Sequence, residues 1–493
     1  PRDENGRALA PETLHARLRT ALRDAAPPVA ILLLGDADVI APFRFAQPDA
    51  RLVARGMEPL YVSDHPYRLA DDVDELPDWS LGRVPARSVE EAKSVLEKIV
   101  RYEADAPAGA WRTRVNFVAG EGRFGFGDQV LETLFRGMVE SLIPPAADLS
   151  LIYASCTSTY CPPPSKLEET VLSRLSEESL LFVYLGHGLQ RELDSMRVGR
   201  TRYPLLRHDA LSRLDEPRAA LPLAFLGCCS SGWFDDPAGA PCLAESMLLA
   251  PGGPVAVIAG SRLTHPYGTA VFQKDLVSFL LHHPPETLGE LDRRIDVSML
   301  RTDSTDLVLD ATAAPIAAAM RWPISLAQLR LMHVRMYNLF GDPATRLAHP
   351  RLALATLKLE NDALVATAPG IAEGVATVTI ETRRDGMREP ERIEPVLGAA
   401  DPELERKAAQ NFAAASERVL RTLTAPVRNG HLDVRFNEPM PERAAIVRVV
   451  ISGTDATGRA VEAVGGLRLD EDQPASGRGL VSGLREPVQA TSQ

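Results

Sequence analysis

No run of eighteen apolar residues occurs in the 493-residue chain, so no transmembrane helix is expected. Positive charge is in deficit. Against 66 Asp and Glu stand 54 Lys and Arg, giving a formal charge of −12 and a pI near 5.5. That sign disfavours a general nucleic-acid binder, which needs cations to meet phosphates. Cysteine is scarce and odd in number, at five. A chain this long can build its core without a disulfide framework. Cys156 and Cys161 could pair or stay free, and "CTSTYC" lacks a second close ligand pair for zinc apart from the adjacent Cys228 and Cys229. No internal repeat is visible. No segment resembles a secretion signal, and the opening at Pro1 fits a processed or trimmed product.

What is present is apolar and alternating. Hydrophobic residues make up 45% of the chain, and its length suits about three domains. "ETLHARLRTALRDAA" has helical periodicity, and "PVAILLLGD" reads as a buried strand. "SVEEAKSVLEKIVRYEAD" opens on a serine with a carboxylate three residues on, the signature of a capped helix. "RVNFVAGEG", "LSLIYAS", "LLFVYLGHG", "LPLAFLGCCSSG" and "GPVAVIAGS" read as strands. "DQVLETLFRGMVESLI" (from Asp128), "SKLEETVLSRLSE", "CLAESMLLA", "TAVFQKDLVSFLLHH" and "TLGELDRRIDVSML" read as helices. Solidly apolar strands alternating with helices predict an α/β fold, a mostly parallel sheet covered on both faces. From about residue 350 the segments shorten and alternate, as in "VATVTIETR" and "AAIVRVVISG", which predicts a β-sandwich. "PELERKAAQNFAAASERVLRTL" interrupts it as a helix, and the last residues read as a loose tail.

Ligand sites in parallel sheets lie beyond the carboxyl ends of strands. Two such ends carry reactive residues. "YLGHG" places His187 between glycines, and "GCCSSGW" places Cys228 and Cys229 before small residues. A thiol attacks a carbonyl once a base takes its proton, and an imidazole can supply that base. Backbone N–H groups can then hold the oxyanion. Adjacent strand residues face opposite ways, so only one of the two cysteines can be presented. The pattern alone leaves open which one, and a core cysteine pair beside a turn histidine would give the same string.

These stretches resemble the gingipain-type cysteine peptidases, peptidase family C25, of the wider caspase-like fold (clan CD) that includes separases. "YLGHG" is similar to the family's histidine motif and "GCCSSGWF" to its nucleophile motif. "PCLAESML", "LFGDPATRL", "ILLLGDAD", "LGRVPARS" and "KIVRYE" resemble further family segments in the same order. The similarity spans roughly residues 10–350. Setting Gly232 and Phe234 on the family's glycine and phenylalanine selects Cys229 as nucleophile over Cys228. The resemblance implies His187 as general base and acid, Glu121 as the acid supporting it, and the Gly188 and Cys229 N–H groups as oxyanion hole. Asp128 takes the position of the acid that holds a basic P1 side chain; as the first residue of a helix it would equally serve as a cap. In "SRLTHPYG", Tyr267 stands where the family has a tryptophan beside the pocket, and Ser261 and His265 line the cleft.

The resemblance further implies a non-catalytic α/β subdomain at 1–112 and a caspase-like catalytic subdomain at 113–349. An immunoglobulin-like β-sandwich with a helical insertion would occupy 350–480, and a flexible tail 481–493. The chain opens after the family's first strand: either that strand lies on a removed segment, or a separate N-terminal fragment supplies it as a partner. The chemistry needs no cofactor; the acidic loops "GDADVIAP" and "DDVDELPD" are candidates for a structural calcium ion, although a solvated loop explains them as well. The expected activity is endopeptidase cleavage after Arg or Lys, of broad range or of one partner such as a pore-forming protein. The competing reading is a decayed or adhesive protein that binds through its β-sandwich. Family resemblance points to secretion or the cell envelope, and the unpaired cysteines permit the cytoplasm.

Overall fold

The computed structural model describes residues 9–121, 142–301, 307–319, 321–350, 352–360, 363–382 and 402–469. The strands up to residue 340 are β1 (Ala30–Leu34), β2 (Phe43–Ala46), β3 (Leu60–Ser63), β4 (Ser80–Val84), β5 (Arg114–Ala119), β6 (Asp148–Tyr153), β7 (Leu181–Leu185), β8 (Ser195–Val198), β9 (Thr201–Pro204), β10 (Leu223–Gly227), β11 (Ala256–Gly260) and β12 (Tyr337–Phe340). Eight of these form one sheet in the order β1-β4-β12-β11-β10-β7-β5-β6.

Alternate residues of the central strands enter two separate cores. Val115, Phe117, Val183, Phe225 and Ile258 pack with Phe272, Leu276 and Leu291 from helices Pro266–His282 and Leu288–Leu300. Val118, Phe182, Tyr184, Leu226 and Val257 pack on the other face with Val171 and Leu248 from helices Leu167–Ser176 and Leu243–Leu249. Both faces are therefore covered, which is why these strands lack polar alternation. Each fully buried Leu or Phe contributes about 1.5–3 kcal/mol.

The sheet reverses direction once. β11, β10, β7, β5 and β6 run parallel to one another, and β1, β4 and β12 do likewise, but β11 pairs with β12 antiparallel. The carboxyl ends of the two groups thus lie on opposite edges. Close backbone approach packs β4 against the segment after β12, since a Cβ on Gly82 would collide with the carbonyl of Gly341 and with Pro343, and a Cβ on Gly341 would lie 2.8 Å from the Cβ of Ala256 in β11. "LGRVPARS" and "LFGDP" therefore abut. β1 is an edge strand, and its Leu34 is exposed beside Val89 and Val100 of helix Val89–Asp105. That helix begins as expected, with Ser88 accepting from Glu91 N and Glu91 accepting from Arg87 N. Such a cap is worth about 1 kcal/mol.

Beyond β12 come β13 (Leu352–Ala353), β14 (Thr356–Glu360), β15 (Ala363–Thr367), β16 (Glu373–Glu381), β17 (Val419–Arg428), β18 (His431–Arg435), β19 (Ile446–Thr454) and β20 (Ala460–Arg468). They run in the order β13-β20-β19-β16-β17-β18-β15-β14. β17 and β18 share only the rung Arg428–His431, at a hairpin whose Asn429 and Gly430 both have positive φ. Past that rung the strands part, giving a C-terminal β-sandwich. Val378, Val449 and Ile451 from one layer meet Leu364, Ala366 and Leu432 from the other in a single core.

Several expectations change. The helix in "PELERKAAQNFAAASERVLRTL" covers only Pro402–Ser416, and Val419–Arg428 is β17, where alternation replaces helical period. That helix turns Leu404 and Ala408 toward the core of the α/β sheet, and Glu405 accepts from Ser165 N and Oγ. Glu462 of β20 binds Arg112 at 3.0 Å and Gly109 N at 2.6 Å, tying the sandwich to the same unit. The two-stranded pairs β2–β3 and β8–β9 were not legible, nor were helices Leu307–Ala319 and Leu326–Met336. The helix expected from Asp128, and Asp128 itself, lie outside the described residues. Among the described residues no helix is long and apolar enough to cross a membrane.

Candidate active site

Three neighbouring strands end in register. Ala119 of β5 is level with Leu185 of β7, which is level with Gly227 of β10. Glu121, His187 and Cys229 each lie two residues beyond that common rung. Strands in a sheet are about 4.8 Å apart, so the three loops leave the sheet side by side. On the far side of β10, Leu226 is level with Ala259 of β11, which leads into Ser261–His265. The structure thus brings these four candidate segments to one edge.

The histidine and cysteine loops touch. A Cβ on Gly188 would lie 2.5 Å from Cys228 Sγ and 2.9 Å from the Cys229 carbonyl oxygen, so only glycine allows this approach. The "LGHG" loop folds into a hairpin in which Leu189 N donates to Glu192 O and Asp194 N to His187 O. Gly188 faces Leu193 as a non-hydrogen-bonded pair, which keeps its N–H out of the ladder. The Gly188 and Cys229 N–H groups have no partner among the described residues. His187 is exposed. Its carbonyl accepts from Tyr184 Oη at 2.6 Å, and Tyr184 is fully buried.

The two cysteines differ sharply. Cys228 is 1% exposed and faces the core, and burial pushes its thiol pKa far up. Cys229 is half-buried, with Sγ 3.7 Å from Thr264 Oγ1 and 3.8 Å from Thr264 O. Burial raises its pKa also, only partly offset by the Thr264 contacts, so the resting group is a neutral thiol. The turn that presents it is held at several points. Ser230 has φ of 57° and donates from N to Arg262 O, and Gly232 N donates to Gly260 O. The Arg262 guanidinium stacks 4.0 Å from the Trp233 ring and pairs with buried Asp235. Phe234 packs edge-on against Phe340 and under Arg83.

The remaining predicted residues sit as follows. Glu121 Oε1 is 3.5 Å from Ser155 Oγ. Ser261 is fully buried and its hydroxyl donates to Val62 O at 2.7 Å, so it fixes the loop rather than offering a group to a ligand. Tyr267 is also buried, at 7% exposure. Its hydroxyl bonds to Asp310 and receives Arg330 Nε, which turns it away from a pocket-lining role. His265 caps helix Pro266–His282, its Nδ1 accepting from Tyr267 N and its own N–H donating to His333 Nε2. Burial lowers its pKa to about 4, so it is neutral at pH 7. Its ring lies 4.6 Å from that of Trp322, an aromatic that sequence reasoning did not single out, as it missed Tyr184 and Thr264. Nothing in local spacing marks them; they come from other rungs and other elements.

The acidic loops are otherwise engaged. Asp36 pairs with Arg87 and Asp72 with Arg19, while Asp71, Asp74 and Asp78 accept backbone N–H groups. Among the described residues no three or more His, Cys, Asp or Glu converge as a metal site.

Residues 10–348 match the model of peptidase family C25. An uncharacterized protein of Archaeoglobus fulgidus is 26% identical over 215 residues, 42% of this chain and 48% of its own length, so the chain spans about half of that relative. The crystal structure of the Arg-specific cysteine proteinase gingipain R is similar with a TM-score of 0.50 at 14% identity, over 93% of this chain and 88% of that one. The complex of pro- and mature domains of RgpB from Porphyromonas gingivalis is similar with a TM-score of 0.48 at 14% identity, over 92% and 89%. At 14% identity the gingipain R structure with a TM-score of 0.50 bears on the fold alone, while the family match covers well over half of the chain: this chain belongs to peptidase family C25, the gingipain-type cysteine peptidases.

Proposed function

We propose that the chain is a cysteine endopeptidase in which Cys229 attacks the substrate carbonyl and His187 moves the protons. The observation that carries this is the common rung: His187 and Cys229 stand two residues past paired positions on adjacent parallel strands. His187 takes the Cys229 proton as Sγ bonds to the carbonyl carbon. The oxyanion is received by the N–H groups of Gly188 and Cys229, which have no other described partner. The C–N bond then breaks, and the leaving amine takes the proton from His187. Water, deprotonated by the same imidazole, hydrolyses the thioester and restores the thiol. Glu121, two residues past the same rung, is the group to orient and stabilise the imidazolium.

Cleavage after a basic residue rests on Asp128, whose carboxylate would accept from a guanidinium or ammonium at the pocket floor. The Arg-specific activity of gingipain R is consistent with that reading. The protein partner is a peptide-bearing substrate.

The test uses fluorogenic peptides with Arg, Lys, Leu or Asp at P1. Cys229→Ala should lower cleavage at least roughly a thousandfold, while Cys228→Ala keeps most of it. Equal loss in both variants would sink the assignment. Absence of cleavage together with absence of thiol labelling at Cys229 would favour the adhesive reading.

A further inference from the structure

The loop between β6 and helix Leu167–Ser176 holds the other close pair of cysteines, which the proposed peptidase chemistry does not use. Its backbone is already folded into a tight turn. Ser158 N donates to Ser155 O, Cys161 N to Ser158 O, and Tyr153 N to Tyr160 O. Its first residue is anchored to the sheet through Ala154 N and Ala119 O at 2.8 Å. The turn brings Cys156 and Cys161 against one thioether: their sulfurs lie 3.6 and 3.5 Å from Met196 Sδ. Cys161 Sγ also lies 3.4 Å from Pro162 O. Their surroundings are unequal. Cys156 is half-buried and reachable from solvent, whereas Cys161 is 1% exposed.

We propose that Cys156 and Cys161 are a redox modification site, a dithiol that hydroperoxides convert to an intramolecular disulfide, with Cys156 as the attacking sulfur and Cys161 as the resolving one. The geometry supplies a solvent-reachable sulfur, a buried partner on the same short loop, and one thioether that both sulfurs touch. The neighbouring Cys161 thiol holds the Cys156 pKa below its ordinary value, while the Cys156 thiol and burial push Cys161 up. Burial raises the pKa values of Cys228, Cys229 and Cys242, so Cys156 is the thiol of the five with the greatest thiolate fraction. The step balances. The Cys156 thiolate attacks one peroxide oxygen, the O–O bond breaks, and the alkoxide or hydroxide leaves and is protonated, giving a sulfenic acid. The Cys161 sulfur then attacks the Cys156 sulfur, the S–O bond breaks, water leaves, and two thiols have been oxidised as one peroxide is reduced. The loop carries Ser155, the hydrogen-bond partner of Glu121, so the modified segment borders the candidate active site. The inference does not depend on peptidase activity.

The experiment treats the reduced full chain with one equivalent of hydrogen peroxide at pH 7, alkylates it and maps peptides by mass spectrometry. The expected product is a peptide 2 Da lighter, cross-linked between Cys156 and Cys161 and restored by dithiothreitol. In Cys161→Ser the sulfenic acid should persist at Cys156, raising dimedone labelling there by roughly tenfold over the wild type. Both cysteines remaining open to alkylation, or dimedone labelling equal in the two proteins, would overturn the proposal. So would Cys156 passing to sulfinic acid while Cys161 stays a thiol.

Discussion

The two groups of parallel strands in the α/β sheet end on opposite edges, and the two edges are built differently. Beyond β1 and β4 the polar groups close on one another. Arg83 is 1% exposed, forks onto both oxygens of Asp64 and donates to Gly35 O; Arg87 bridges Asp36 and Glu245. Beyond β7 and β10 the His187 imidazole is exposed, the Cys229 thiol is half-buried with only long contacts to Thr264, and the Gly188 and Cys229 N–H groups have no partner among the described residues. Both edges have glycines and acids at strand ends, so position alone does not make a site. What separates them is burial: on one edge the charged groups are buried against one another, on the other the imidazole and the thiol are reachable from solvent.

The largest effect should come from breaking the closed edge. Arg83→Met leaves the Asp64 carboxylate buried without its cation, which costs about 3–5 kcal/mol. Cys229→Ala on the open edge removes one half-buried sulfur and should stay within about 1 kcal/mol of wild type. Urea unfolding of the two variants checks the contrast. Equal destabilisation would mean that Cys229 is a core residue and that the open edge is no different from the closed one.

Much of this was legible in the sequence because it is carried by local pattern. The strands of "LLFVYLGHG" and "LPLAFLGCCSSG" are apolar on both faces, and they end in glycine and a reactive side chain. What the pattern could not carry is direction. Alternating strands and helices do not reveal that β12 pairs antiparallel with β11, which sends the carboxyl ends of β1 and β4 to the other edge. Side-chain commitment was equally hidden. Ser261 and Tyr267 are placed in the site segment by spacing, yet Ser261 bonds to β3 and Tyr267 to Asp310 and Arg330, partners 199 and 43 or more residues away in sequence. Tyr184 looks like one more apolar strand residue until its hydroxyl is seen to reach the His187 carbonyl.

That hydroxyl gives a smaller test of the open edge. Tyr184→Phe keeps the ring in the core and removes the donor to His187 O together with the 3.3 Å acceptor of Asp194 N, which still donates to His187 O at 3.1 Å. As a positioning residue, Tyr184 should affect turnover rather than binding. Losing the short bond to His187 O, about 1–1.4 kcal/mol, with Asp194 N keeping its bond to the same oxygen, predicts a kcat roughly fivefold to tenfold lower with KM little changed. Steady-state kinetics with the best P1 peptide would show it. A rise in KM at constant kcat would place Tyr184 in substrate binding instead.

The smallest expected effect lies beside the closed edge, where Arg68 pairs with both Asp292 and Asp296 at 2.7 Å. Burial pushes both carboxyls up to about 7, opposed by the Arg68 charge, and Asp296 raises Asp292 further by like-charge repulsion. His65, 3.6 Å from Asp296 and with Glu75 on its other side, adds no charge at neutral pH because burial lowers its pKa to about 3. An acid whose folded pKa exceeds its unfolded value keeps its proton in the folded chain where the unfolded chain has released it. Its contribution to stability therefore falls as pH rises from about 4 to about 7 and is constant above. Asp296→Asn removes one such acid and leaves Asp292 to balance Arg68. Relative to wild type, the variant should gain stability on going from pH 5 to pH 7.5, on the order of 1 kcal/mol. Thermal unfolding at the two pH values reads this directly. A difference from wild type that stayed the same at the two pH values would show that both carboxylates are charged in the folded chain and that Arg68 is held by full ion pairs rather than by protonated acids.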